Sequence, residues 1–181
     1  MTVASDAPRI ALLVEDDFED RELPPLLDAL RGAGLTVTVV GPTADGVHRG
    51  KRGEATVQSE LAAGKARIAH FDAVVVPGGY APDRIRMRHA MVDLLRDALE
   101  AGKPIGTIDR GAALLISINA VRGRTITCWP SIAIDIRNAG GLYVDRPVVE
   151  DGPIITARKW DDIDFFRDAL VRVLGGSPAA R

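Results

Sequence analysis

Short aliphatic runs, each closed by glycine, proline or an acid, alternate along this chain with stretches of helical periodicity. Arg9-Ile10-Ala11-Leu12-Leu13-Val14 is apolar without alternation and ends at acids, as a strand covered on both faces does. Leu26, Leu27 and Leu30 then recur at helical spacing, and Gly32 and Gly34 stop that helix. Leu35 to Val40 predicts a second strand, closed by Gly41-Pro42. Thr43 to Gly64 is polar and punctuated by glycine, a loop with a small hairpin around Gly50-Lys51-Arg52-Gly53. Phe71 to Val76 is a third buried strand ending in Pro77-Gly78-Gly79. Met91, Leu94, Leu95, Ala98 and Leu99 mark a helix capped by Gly102, and Ile105 to Ile108 a fourth strand.

The second half is less regular. The pattern predicts a helix over Ala112 to Asn119, a strand at Thr125 to Cys128 and a helix from Ile132 to Ala139. Val148-Val149 and Ile154-Ile155-Thr156 read as a hairpin across Asp151-Gly152. A last helix runs from Asp161 to Leu174, with Ile163, Phe166, Leu170 and Val173 on one side. Strands alternating with helices imply a mainly parallel sheet between helical layers, an α/β fold. Ligands of such sheets sit at the carboxyl ends of the strands. That rule gathers Glu15 to Glu19, Pro77 to Tyr80, and Asp109-Arg110.

Length and composition narrow the classes. At 181 residues the expectation is one domain over 1–181, with its core at 9–174 and a frayed tail at 175–181. A net charge of -2 with both signs interspersed gives no electrostatic case for nucleic acid. Ala73-Val74-Val75-Val76 is far short of a membrane span, and Met1 to Pro8 has no secretory pattern. The single Cys128 fits a reducing compartment, so a cytoplasmic location is expected. His48, His70 and His89 lack metal-ligand spacing, and no Walker or dinucleotide fingerprint occurs. No metal and no cofactor are expected.

Candidate chemistry concentrates where Ile105-Gly106-Thr107-Ile108 runs into Asp109-Arg110-Gly111-Ala112. A sharp strand-to-helix turn lifts one side chain above the sheet among free backbone N–H groups. The lifted residue is Asp109, a carboxylate without a neighbouring histidine, suited to act as a base or an alkyl-accepting nucleophile. The plainer reading makes Asp109 a helix N-cap. Glu19 stands among Glu15, Asp16, Asp17 and Asp20, where a solvated acid is the ordinary outcome.

Phe18-Glu19-Asp20-Arg21-Glu22-Leu23, Pro77-Gly78-Gly79-Tyr80-Ala81-Pro82-Asp83-Arg84, Trp129-Pro130-Ser131-Ile132 and Asp135 to Gly140 together resemble the PfpI/ThiJ superfamily, most closely its PfpI branch. The likeness continues through Val148 to Gly152 and Thr156 to Arg158. It implies a flavodoxin-like three-layer α/β/α sandwich, a homodimer or higher homo-oligomer, and active sites near subunit contacts. The family elbow carries cysteine and histidine, where this chain has Asp109 and Arg110. By the resemblance, Glu19 matches the acid that hydrogen-bonds that cysteine, and Gly79 and Arg110 supply the oxyanion-hole N–H groups. Asp83 matches an acid that orients the histidine from a neighbouring subunit. Trp129, Cys128 and Tyr80 stand in the pocket wall. Arg110 is left either as an interface partner of Asp83 or as a pocket residue.

If Glu19 and Asp109 are neighbours, the two carboxylates share a proton and titrate as a pair. The first functional reading is therefore a cofactor-independent enzyme using Asp109 and Glu19 in acid/base chemistry on a small molecule. Hydration, elimination, isomerisation, cyclisation and epoxide-type hydrolysis all fall within it. The rivals are a non-catalytic metabolite- or partner-binding protein and a retained glyoxalase, deglycase or peptidase activity.

Overall fold

The computed structural model describes residues 7–175. The expected tail, apart from Gly175, and the stretch from Met1 to Asp6 lie outside them. Chain order gives β1 (Arg9–Leu13), α1 (Leu23–Gly32), β2 (Thr36–Gly41), β3 (Val47–Arg49), β4 (Thr56–Gln58) and β5 (Leu61–Ala62). There follow β6 (Ala73–Val76), α2 (Ala81–Ile85), α3 (His89–Glu100), β7 (Ile105–Ile108) and α4 (Ala113–Ser117). The rest is β8 (Thr125–Ile126), α5 (Ala133–Asn138), β9 (Leu142–Tyr143), β10 (Val148–Asp151), β11 (Ile154–Ala157) and α6 (Ile163–Val173).

Seven strands form the main sheet in the order β10-β11-β7-β6-β1-β2-β5. All neighbours run parallel except β10, which returns antiparallel on β11. The central strands are buried on both faces, which is why their sequences read as unbroken aliphatic runs. α1 and α6 pack together against one side, with α3 over β6 and β7 on the other. This is the expected flavodoxin-like α/β sandwich. Among the described residues, no helix is long and apolar enough to cross a membrane.

Gly106 shows how closely α6 lies on the sheet. A Cβ there would fall 2.8 Å from Phe166 Cζ and 3.1 Å from Leu170 Cδ2. Gly106→Ala is expected to cost about 1–3 kcal/mol through overpacking. That lowers Tm by roughly 2–12 °C for a chain of this size, and calorimetry reads it directly; an unchanged Tm would mean that α6 has room to spare.

The structure corrects the sequence reading in four places. The Thr125 strand ends at Ile126 and pairs with the unforeseen β9 in a separate two-stranded sheet. The elbow helix opens as a 3-10 turn over Asp109–Ala112 and is α-helical only over Ala113–Ser117. Asn119, at φ 57°, turns the chain away there. β5 and α2 also went unforeseen, because two- and five-residue elements are too short to show a period.

Candidate active site

β1, β6 and β7 are adjacent, with Leu12 opposite Val75 and Val76 opposite Thr107. The loops leaving their carboxyl ends therefore meet over the middle of the sheet. Asp109, the first residue past β7, sits at φ 58°, a left-handed conformation that costs a non-glycine residue about 1–3 kcal/mol. Gly111 lets the turn close on β6, since a Cβ there would fall 2.6 Å from the Val76 carbonyl oxygen. Backbone strain at an elbow is paired with a buried side chain: Asp109 is only 3% exposed.

The Pro77-Gly78-Gly79 turn then organises two carboxyl groups. The Gly79 N–H donates to Asp109 Oδ2 at 2.7 Å, and the Gly78 N–H donates to Glu22 Oε1 at 2.6 Å. Successive amides thus hold the two acids side by side. A Cβ at Gly78 would overlap the Asp109 carboxyl, and one at Gly79, which sits at φ 70°, would overlap the Glu19 amide. Both glycines are required by that close approach.

Burial drives the electrostatics. Glu22 is fully buried, and its carboxyl is pushed well above the usual range by desolvation and then by the charge of Asp109, against the Gly78 hydrogen bond. Asp109 is also raised by burial, opposed by the Gly79 and Arg110 backbone amides and by the Arg110 and Lys51 charges. Glu22 Oε2 has no hydrogen-bond partner among the described residues. A protonated Glu22 beside Asp109 is the arrangement this environment favours.

Glu19 holds a different place from the one expected. It is buried, but Lys51 Nζ lies 2.6 Å from its Oε2 and the Arg21 N–H donates to its Oε1 at 3.3 Å. The acid beside Asp109 is Glu22, the N-cap residue of α1, in line with buried Leu26 and Leu30. The oxyanion-hole expectation shifts as well. The Gly79 and Arg110 amides are directed at the carboxyl of Asp109 itself.

Cations and aromatic rings border the site. Lys51 Nζ and Arg110 Cζ each lie 5.1 Å from the Tyr80 ring centre, and Arg110 Cζ also lies 5.9 Å from Trp129. Trp129 stacks on Trp160 at 5.6 Å, and Arg21 Cζ lies 6.0 Å from the Trp160 ring. These cations offset the negative charge of the acids beneath and stiffen the rings. Arg110 therefore sits between Tyr80 and Trp129, and Asp83 is exposed on α2 with no ion pair to Arg110 within the chain among the described residues. Cys128 is fully buried rather than part of an open wall. Burial and the charges of Asp109 and Asp135 push its thiol up to about 12. His48 lies beside Glu15 and Asp16.

The sequence reading missed Glu22, Lys51 and Trp160. Glu22 had a usable signal, since it stands four and eight residues before Leu26 and Leu30 on the apolar stripe of α1. Lys51 and Trp160 had none, because each arrives from a distant loop.

The DJ-1/PfpI family profile matches residues 8–173 of this chain. The chain belongs to the DJ-1/PfpI family. Among relatives of this DJ-1/PfpI chain, protein/nucleic acid deglycase 2 of Escherichia coli is 38% identical over 168 residues, 92% of this chain and 98% of that protein. A deglycase of Pyrococcus abyssi is 37% identical over 166 residues, 92% of this chain and 99% of its own. A crystal structure of a two-domain protein from Anabaena variabilis, with DJ-1/ThiJ/PfpI-like and ferritin-like domains, superposes with a TM-score of 0.91 at 34% identity. That match covers 96% of this DJ-1/PfpI chain and 50% of the Anabaena chain.

Proposed function

We propose that this chain is an enzyme that breaks down adducts of amines with small α-oxoaldehydes, using Asp109 and Glu22 as a proton-exchanging pair. The observation that carries this reading is the placement of the two carboxyls on the successive Gly78 and Gly79 amides, both titrating high. Relatives named as deglycases supply the substrate class. Asp109-Arg110 stands where the family resemblance expects cysteine and histidine, so the chemistry assigned here uses a carboxylate and no thiolate.

An aminocarbinol, R–NH–CH(OH)–R′, needs one base and one acid to fall apart. Asp109 takes the hydroxyl proton, the O–H electron pair becomes the carbonyl π bond, and the C–N bond breaks with its electrons on nitrogen. A proton from the Asp109–Glu22 pair then neutralises the leaving amine. The products are the free amine and the aldehyde, and the pair ends with the proton count it began with. Asp109 touches the substrate; Glu22, on the inner side, holds the second proton. Lys51, Arg110 and Tyr80 border the site with cations that suit a small polar adduct.

The test incubates the protein with the adduct of methylglyoxal and Nα-acetyl-lysine and follows amine release. Acceleration is expected from the wild type and, unchanged, from Cys128→Ser, because a thiol held near 12 supplies little thiolate at neutral pH. No acceleration by the wild type would overturn the proposal in favour of a binding protein. Loss of activity in Cys128→Ser would return the chemistry to sulfur.

A further inference from the structure

Among the described residues, one cluster of ligand-bearing side chains lies outside the Asp109–Glu22 pair, where β3 crosses the end of β1. It joins Glu15, Asp16 and His48, whose nearest donor atoms all lie within 4.8 Å of one another. His48 is 7% exposed and Glu15 3% exposed, so the cluster reaches well below the surface. His48 Nδ1 lies 3.8 Å from Glu15 Oε1 and 3.9 Å from Asp16 Oδ1. Those separations are too long for hydrogen bonds. They are close to the span between two ligands that each sit about 2.0–2.2 Å from a shared ion.

The imidazole itself is a second, independent observation. Nδ1 faces the two carboxylates, while Nε2 is on the opposite edge of the ring, near Gly41 and Gly46, without a hydrogen-bond partner among the described residues. A histidine more than nine-tenths buried, with Nδ1 aimed between two acids beyond hydrogen-bond distance, offers that nitrogen to a ligand. The carboxylates, by contrast, are already oriented. Arg88 Nε donates to Glu15 Oε2 at 2.7 Å, the Asp16 N–H to Glu15 Oε1 at 3.0 Å, and the Arg49 N–H to Asp16 Oδ1 at 2.9 Å. Outer contacts of this kind fix the ligand atoms of metal sites.

We infer that Glu15, Asp16 and His48 bind a divalent transition metal of the zinc type, a site separate from the carboxyl pair. One imidazole nitrogen with two carboxylate oxygens suits zinc, manganese or iron(II); calcium and magnesium prefer oxygen alone. The role is structural. His48 belongs to β3 and the acids follow β1, so the ion ties the β3–β4 hairpin to the sheet. Two residues past Arg49, the same hairpin carries Lys51 to Glu19.

The experiment strips the full-length protein of metal with a chelator and titrates zinc by calorimetry. One equivalent per chain is expected, with a Tm rise of roughly 5–10 °C at a hundredfold excess over Kd. His48→Gln and Asp16→Asn should each weaken zinc binding by at least about 10-fold. Asp16 is half-exposed, so Asp16→Asn remains informative if His48→Gln misfolds. Asp109→Asn should bind zinc as the wild type does, and cobalt(II) should give visible absorption that Asp16→Asn alters. Absence of a bound equivalent, binding unaltered in both cluster variants, or binding lost in Asp109→Asn would each overturn the site. An equal Tm rise with magnesium alone would overturn the assignment to a transition metal.

Discussion

Asp109→Asn should lower the rate of adduct breakdown by about 10²–10⁴-fold while leaving the protein folded. The substitution keeps the shape of the side chain and an oxygen for the Gly79 N–H, which now donates to Asp109 Oδ2 at 2.7 Å. Asparagine also tolerates the left-handed backbone at φ 58° better than most residues. What it removes is a group able to accept and return a proton. Because Asp109 is buried and held above the usual carboxylate range, the amide also relieves a desolvation cost, so Tm should stay level or rise. Steady-state kinetics beside a thermal melt separates the two effects. Turnover surviving within a few-fold in a well-folded variant would reduce Asp109 to a capping residue of the elbow.

The position of that residue was legible in the sequence for a physical reason. A buried strand that breaks into a helix through a polar residue and a glycine has few ways to close, and Gly111 against the Val76 carbonyl shows the one it takes. The main sheet was legible too, since central parallel strands must be apolar on both faces. The partner of Asp109 was not. Glu15 to Glu22 contains six acids, and their depths depend on where α1 starts and how it is rotated. Glu19 precedes that helix and meets a lysine from a hairpin thirty-two positions on; Glu22, its N-cap residue, stands in line with buried Leu26 and Leu30. Trp160 and His48 illustrate the same limit. Each gains its meaning from a neighbour, Trp129 or Glu15, that only the folded chain brings near.

Glu22→Gln is expected to reshape the dependence of stability on pH. In the folded chain the carboxyls of Glu22 and Asp109 are both raised above their ordinary values, so the native state keeps protons that the unfolded chain has released. Below the ordinary carboxylate range both states are protonated and the contribution is complete. As pH climbs past about 4.5, the unfolded chain ionises first, and each proton still held by the native state costs about 1.4 kcal/mol per pH unit. The loss ends only where the folded groups themselves titrate. Asp20 works in the opposite sense, lowered by the Arg52, Glu54 and Ala55 amides even though burial opposes them, but its contribution is complete above the same range. Glutamine at position 22 keeps an oxygen for the Gly78 N–H and carries no titrating proton. Urea unfolding between pH 4.5 and 8 should therefore show a shallower decline for Glu22→Gln than for wild type, with the variant the more stable at pH 8. Because Glu22 is still protonated when Asp109 ionises, the acidic limb of the activity profile should stay where it is in the wild type. Parallel stability curves for the two proteins would mean that Glu22 is not the acid that retains the proton, and the paired mechanism would fall with it.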